Sequence, residues 1–388
     1  MSTQTPIAVP QTPDVPPETI LEPGQAAKDE RYYYASQWQL IRWRFSRHKA
    51  AVVSIFLLVI LYILAIFAEF FSPYTPDTRF EGYQSAPPTP IHWIKPDGGG
   101  FGPYVFDTVR ELDKETFKYI YKPDETKVIP LKFFVRGEPY KLLGFIRTNV
   151  HLFGVEEGRV LLFGSDRLAR DVFTRTLHGA RISLSIGLVG VFISFILGVL
   201  LGGISGYFGG VVDDIIQRVI DFLMAIPGLP LWMTLSAALP RDWPTLKLYF
   251  AITIILSILG WTGLARVVRG KMLALREEDY TLAARGAGAS AWRIITRHLL
   301  PGFTSHLIVS ITFNIPGMIL SETALSFIGV GIQPPAVSWG TLLQDAQNLT
   351  AVAQQTWLMI PALFVIATVL LFNFVGDGLR DAADPYAR

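Results

Sequence analysis

EDYTLAARGAGASAWRIITRHLLP, residues 278–301, is polar and basic, yet apolar runs long enough to cross a bilayer flank it at about 246–264 and 303–328. Its composition predicts a helix-turn-helix, with Gly288 as the residue free to turn and Pro301 as the stop of the second short helix. A segment of this kind between two membrane crossings is available to contact something in water. Its side of the membrane follows from charge. Arg266, Arg269, Lys271, Arg276, Arg285, Arg293 and Arg297 crowd one short connection, which places it in the cytoplasm.

Working outward, the chain reads as an all-α polytopic membrane protein. Of its 388 residues 51% are hydrophobic and 17% charged, a balance too apolar for an ordinary soluble domain. A net charge of +2 gives no ground for a nucleic-acid partner, and the absence of cysteine excludes disulfides, thiolate nucleophiles and sulfur-ligated metals. Six crossings are expected: 50–71, 183–203, 211–239, 246–264, 303–328 and 357–374. Residues 1–37 read as a disordered cytoplasmic tail without the apolar run of a cleavable leader. Residues 38–72 read as an amphipathic lead-in and first crossing, entered behind Arg42, Arg44, Arg47 and Lys49 with the N-terminus inside. Alternation of sides puts the C-terminus in the cytoplasm as well.

Residues 73–165 form an extracytoplasmic insert, mixed α/β or irregular, with short strands expected at Val128–Arg136 and Arg159–Phe163 and a loop at Gly98–Gly102. The remainder, 166–388, holds five helices, with the cytoplasmic loop spanning 270–301. Asp166, Arg170, Asp171 and Arg175 are spaced for charge pairing on a short amphipathic helix, which would offset the presence of Arg167, Arg170, Arg175 and Arg181 on the outer side. Gly198, Gly202, Gly206 and Gly210 recur every fourth residue and favour close helix packing within the chain over a contact between subunits.

Polar residues inside the crossings are candidates for the translocation path or a gate. Asp214, Arg218 and Asp221 share one helical face and read first as a structural ion-pair ladder; Pro227 and Pro230 should kink or break that helix. Asn314 and Glu322 lie in the fifth crossing. Ser321 and Thr323 flank Glu322 and offer it a structural network as the alternative to contact with solute.

Taken in order, these stretches resemble one family. Leu282-Ala-Ala, three residues, Gly288, nine residues and His298-Leu-Leu300-Pro301 resemble the Glu-Ala-Ala loop of ABC importer permeases, with Leu282 and His298 departing from its glutamate and isoleucine. The stretch from Ser165 and Asp166 through Arg170, Asp171 and Arg175 to Gly179-Ala-Arg181, then SETALSFIGVGIQPP (321–335) and NFVGDGLRDAADP (373–385), resemble the dipeptide/oligopeptide branch. The match runs from about 163 to the C-terminus and leaves 1–37 and 73–160 outside. The resemblance implies a bacterial or archaeal inner-membrane permease for di- or oligopeptides, or for oligosaccharide, opine or nickel. It implies a second homologous permease as heterodimer partner, two ATPase subunits that carry ATP and Mg, and an extracytoplasmic solute-binding protein. It makes Asp279, Tyr280, Leu282, Ala283, Ala284, Arg285, Gly288, Leu300 and Pro301 the ATPase-coupling loop, with the two alanines keeping one helix face low enough to enter a groove. No catalytic or metal-binding residue and no cofactor is expected on this chain. A GxxxxGK[ST] phosphate loop is absent, as are H-E-x-x-H and G-x-S-x-G, which sets aside a membrane hydrolase. An ATP-independent transporter should show inverted repeats, whereas one half here is a single crossing plus an insert.

Overall fold

Proline, glycine and charge decide where the apolar helices start and stop. The computed structural model describes residues 36–94, 101–112, 114, 119–240 and 242–383. The tail expected over 1–37 lies outside these, except for Ser36 and Gln37. Ser36 caps α1 (Gln37–Arg47) through a reciprocal capping box with Gln39. His48 breaks the chain and caps the first crossing, α2 (Lys49–Ile66), followed by the single turn α3 (Ala68–Phe71).

The insert is built of strands. β1 (His92–Ile94), β2 (Phe101–Leu112) and β3 (Tyr119–Pro130) form one antiparallel sheet, and β4 (Lys132–Leu142) pairs with β5 (Ile146–Gly154) in a separate hairpin. Two strand expectations are corrected. Val128–Arg136 straddles the end of β3 and the start of β4, because the chain passes from one sheet to the other at Leu131. Arg159–Phe163 is not a strand: Leu161 pairs with Thr89 through N–H, hydroxyl and carbonyl, and Val160 donates to the Tyr74 hydroxyl. Of the glycine-rich loop, 98–100 lie outside the described residues, and Phe101 and Gly102 already belong to β2.

The rest is helical: α4 (Val172–Phe208), α5 (Gly210–Ala225), α6 (Gly228–Ala237), α7 (Thr245–Leu275), α8 (Asp279–Gly286), α9 (Ala291–Arg293), α10 (Thr304–Ile328), α11 (Trp339–Gln344), α12 (Leu349–Gln354) and α13 (Ile360–Ala383). Among the described residues five helical stretches are long and apolar enough to cross a membrane, and α5 with α6 would make a sixth if the pair is one crossing. The break expected at the prolines is present: α5 and α6 are separate helices, bent by 85° at Ile226 and Pro227. Ile226, before a proline, is pushed to an extended conformation (φ −88°, ψ 126°), and Pro227 has no N–H to continue the ladder.

α4 is the central post and lies against α7. A side chain added at Gly198 would strike Leu264, and one at Gly206 would lie 2.7 Å from the Arg269 carbonyl oxygen. Gly202 faces Ala265 in the same way. The glycine repeat thus serves packing within the chain. Gly210 does not join it: it opens α5 at φ 54°, and a side chain there would meet nothing. The main apolar core joins α2, α4, α7, α10 and α13 through residues such as Leu61, Leu184, Leu256, Ile319 and Phe372.

Candidate functional site

The segment 276–303 has two faces of different chemistry. Thr281 is buried and its hydroxyl donates to the Leu275 carbonyl, 2.9 Å away, satisfying an end-of-helix acceptor of α7. Gly288 turns the chain at φ 80°, after the Ala289 N–H bonds back to the Ala284 carbonyl. Ser290 then caps α9. From Ile294 to Leu299 the coil widens to a π-turn, and from Leu300 to Phe303 it tightens to a 3-10 turn that leads directly into α10. Pro301 accordingly does not stop the second short helix, as the sequence suggests. The change of winding absorbs the hydrogen bond that its nitrogen cannot donate, and the coil continues.

Ile294, Ile295 and Leu299 are fully or almost fully buried against Leu264, Val268 and Met272 of α7, with Ala284 and Leu300 partly covered by the same cluster. Asp279, Tyr280, Leu282, Ala283, Arg285 and Trp292 face outward. The two alanines therefore differ: Ala283 belongs to the open face, whereas Ala284 faces the core. Trp292, at 59% exposure, is a large apolar residue on the open side that sequence spacing did not single out.

A second feature is a wall formed by α7 and α10. A cavity of about 820 Å³ is lined by Gly260, Gly263, Lys271, His306, Ser310, Asn314 and Arg380, among others. A smaller one of about 300 Å³ shares Gly260 and Asn314 with it and adds Ser194, Trp232, Gly317 and Ser321. Gly263 and Gly317 leave open space where side chains would project. Asn314 is exposed and anchored by a 2.7 Å bond from its amide to the Ser310 carbonyl. The Trp232 indole nitrogen is buried without a partner among the described residues. Nothing in the one-dimensional pattern pairs Trp232 with Asn314; the bend after Ala225 brings them together.

Glu322 lines neither cavity. It is fully buried and accepts hydrogen bonds from Ser183 (2.9 Å) and Ser326 (2.8 Å). Ser183 in turn accepts from the Trp339 N–H, and Ser326 from the Ile332 N–H. The flanking residues are not its partners, which corrects the expected network: Ser321 bonds the Gly317 carbonyl, and the Thr323 hydroxyl is buried and unpaired among the described residues. Ser326, one turn along α10, was within reach of helical periodicity; Ser183 and Trp339 were not.

The charges of α5 pair between helices and not along one. Asp213 is held by Arg269 at 2.5 and 2.6 Å and by Ser205, and Asp221 meets Arg266 at 2.5 Å. Among the described residues no ion pair joins Asp214 to Arg218 or Arg218 to Asp221, so the expected ladder is corrected to two rungs between α5 and α7.

Ahead of α4 the expected short helix is a turn, 166–170, with Ala169 at φ 60°. Asp166 accepts from the Leu168 and Arg170 N–H groups and pairs with the Arg170 side chain at 2.8 Å, with Arg175 at 3.5 Å. Asp171 is not an ion-pair partner but the cap of α4, accepting from the Thr174 N–H and hydroxyl. Burial pushes its carboxyl up to about 6, against those hydrogen bonds. Arg181 closes the end of α2, donating to the carbonyls of Ala65 and Ile66 and forking onto Glu69 at 2.7 and 2.8 Å. Burial raises the Glu69 carboxyl, but Arg181 more than offsets this and leaves it below its ordinary value. Among the described residues no group of three or more His, Asp or Glu is arranged to hold a metal ion.

Residues 198–388 match the family described as binding-protein-dependent transport system inner membrane component, and residues 36–88 match the N-terminal transmembrane domain of oligopeptide transport permease C. The oligopeptide transport system permease protein OppC of Bacillus subtilis (strain 168) is 31% identical over 377 residues, 96% of this chain and 98% of that protein. The dipeptide transport system permease protein DppC of the same strain is 42% identical over 228 residues, 58% of this chain and 69% of that one. OppC of Haemophilus influenzae (strain ATCC 51907 / DSM 11121 / KW20 / Rd) is 40% identical over 227 residues, 58% and 70% of the two chains. The alignment with OppC of Bacillus subtilis spans almost both chains, and this protein belongs to the binding-protein-dependent transport permease family, on the dipeptide/oligopeptide branch.

Proposed function

We propose that the chain forms one half of the translocation pathway of an ATP-driven importer of di- or oligopeptides, with the segment 276–303 as its coupling element. The observation that carries this reading is the two-faced geometry of that segment. Asp279, Tyr280, Leu282, Ala283, Arg285 and Trp292 are open to a partner, while Ile294, Ile295 and Leu299 are locked onto α7. A push or pull on the open face is passed by packed side chains to α7 and, through the unbroken coil after Pro301, to α10. Those two helices carry the Gly260–Asn314 wall, which is the face offered to a second permease and to solute.

In this reading ATP and Mg reside on two ATPase subunits, a solute-binding protein delivers peptide on the outer side, and both termini are cytoplasmic in an inner membrane. Glycine at 263 and 317 leaves room for a passing backbone, and Asn314 and Ser321 supply hydrogen-bonding groups suited to amides. The test is to express the chain with its chromosomal neighbours and purify on a tag. The complex should contain a second permease and ATPase chains, and a binding protein loaded with peptide should stimulate vanadate-sensitive ATPase activity. Stimulation by an oligosaccharide but not by peptides would overturn the substrate class. Solute movement by the purified chain alone, without ATP, would overturn the coupling reading.

A further inference from the structure

The β4–β5 hairpin carries an apolar end that the insert does not cover. Its loop, Leu143–Phe145, exposes Leu143 (45%) and Phe145 (73%), and Ile146 beside it is 46% exposed. Leu143 (φ 52°) and Gly144 (φ 83°) are both left-handed. Loops in water fill such positions with Gly, Asn or Asp, and a leucine there is unfavourable. Just behind the loop, Lys141 and Arg147 face each other across the ladder and are exposed.

The hairpin also has a direction. At its far end Phe153 packs on Phe173, in the first turn of α4, with ring centres 5.8 Å apart. Near the loop, Tyr140 and Lys141 share a cavity wall with His178 and Glu69. Five residues of helix separate Phe173 from His178, so the strands descend about 7.5 Å along α4 toward the bilayer. Arg181, one turn deeper, marks the end of the first apolar crossing by bonding the Ala65 and Ile66 carbonyls. β4 runs one residue beyond Lys141, about 3.3 Å, and ends at Leu142, and the turn Leu143–Phe145 projects past that end toward the same level.

We propose that the Leu143–Ile146 loop is a membrane anchor of the insert, seated in the outer leaflet at the headgroup–acyl boundary, with Lys141 and Arg147 at the level of the lipid phosphates. Apolar residues backed by a pair of cations match the two layers of that boundary. Ile63 and Ile66, in the last turn of α2, are exposed apolar residues at the end of the first crossing.

The natural chain has no cysteine, so single nitroxide labels can be placed without prior substitutions. We would label Phe145→Cys and, separately, Leu143→Cys in the full-length chain. The chain would be purified with the subunits that accompany it and reconstituted in nanodiscs of phosphatidylethanolamine and phosphatidylglycerol. Ile63→Cys on α2 and Glu157→Cys, beyond the far end of β5, serve as lipid and water references. Power saturation should give both loop labels an oxygen-to-nickel-chelate accessibility ratio several-fold above that at 157 and near that at 63. A ratio at 145 and 143 equal to that at 157 would put the loop in water and overturn the proposal. Low accessibility to both reagents would overturn it in favour of a loop covered by another chain.

Discussion

Ser183 of α4 donates a 2.9 Å hydrogen bond to Glu322 of α10, and the same hydroxyl accepts the N–H of Trp339, so one serine joins three separate parts of the permease core. Glu322 is fully buried and each carboxylate oxygen has a serine donor. An ionisable residue inside a crossing invites a role in transport, but this one faces a closed network and not the α7–α10 wall.

Glu322→Ala should therefore act on stability. It leaves two serine hydroxyls without an acceptor and opens a small void, at a cost of about 2–4 kcal/mol. Glu322→Gln keeps the shape and one acceptor and should cost less than about half of that. Thermal unfolding of the purified complex, followed alongside peptide uptake, checks both. Loss of uptake by Glu322→Gln with an unchanged transition would place Glu322 in the solute path after all.

The coupling segment allows its two faces to be separated. Ala283→Arg places bulk and charge on the open face and should reduce ATPase association about tenfold or more, with thermal stability unchanged. Leu299→Ala removes a buried side chain from the contact with Met272 and should destabilise by about 2–4 kcal/mol. Co-purification yields and unfolding curves distinguish them. If Ala283→Arg binds the ATPase normally, the open face is not the docking surface.

What the sequence disclosed follows from the range of its signals. The crossings and the turn at Gly288 rest on local composition, and each was legible. Charge partners were legible within one turn, as for Asp166 and Arg170, but not between helices: Asp213 finds Arg269 and Asp221 finds Arg266 because α5 lies on α7, and helical spacing proposes only neighbours on the same helix. Asp171 illustrates the same limit, since an aspartate with Thr174 three and Arg175 four residues on reads equally as a cap or as an i,i+4 partner until the helix start is known. Glu322 stood out as a buried charge, yet Ser183 lies 139 residues away and no periodic pattern reaches it. The wall containing Trp232 and Asn314 depends on the 85° bend. The prolines announced that a bend would come but not its angle.

Two glycines of similar appearance should respond in opposite ways. Gly206→Leu forces atoms into the Arg269 backbone and should destabilise by about 1–3 kcal/mol or more, because neither helix can retreat. Gly263→Leu projects into the open wall and should leave unfolding unchanged while reducing uptake at least several-fold. The measurement is uptake normalised to folded complex. Equal uptake by Gly263→Leu and the wild type would show that this wall does not line the path.

Asp171 offers a pH test with a definite sign. Burial raises its carboxyl from 3.8 to about 6 in the folded chain, with the nearby Asp166, itself paired to Arg170 and Arg175, adding a smaller push in the same direction. The folded state thus holds the proton more tightly than the unfolded chain. The stabilisation from this group is complete below about pH 3.8, declines as pH rises through the window to about 6, and is absent above it. The swing is about 3 kcal/mol, on the order of 1.4 kcal/mol for each pKa unit. Asp171→Asn retains a cap acceptor for the Thr174 N–H without a charge to bury. Its unfolding temperature should therefore gain on the wild type between pH 4 and pH 6.5 and then hold a constant lead. Asp171→Ala, which loses the cap, should fall about 1 kcal/mol below Asp171→Asn at every pH. Taking differences between variants removes the titration of every other carboxylate. A gap between Asp171→Asn and the wild type that is flat from pH 4 to pH 8 would mean that Asp171 is ionised in the folded protein throughout, and that its unpaired oxygen is reached by water.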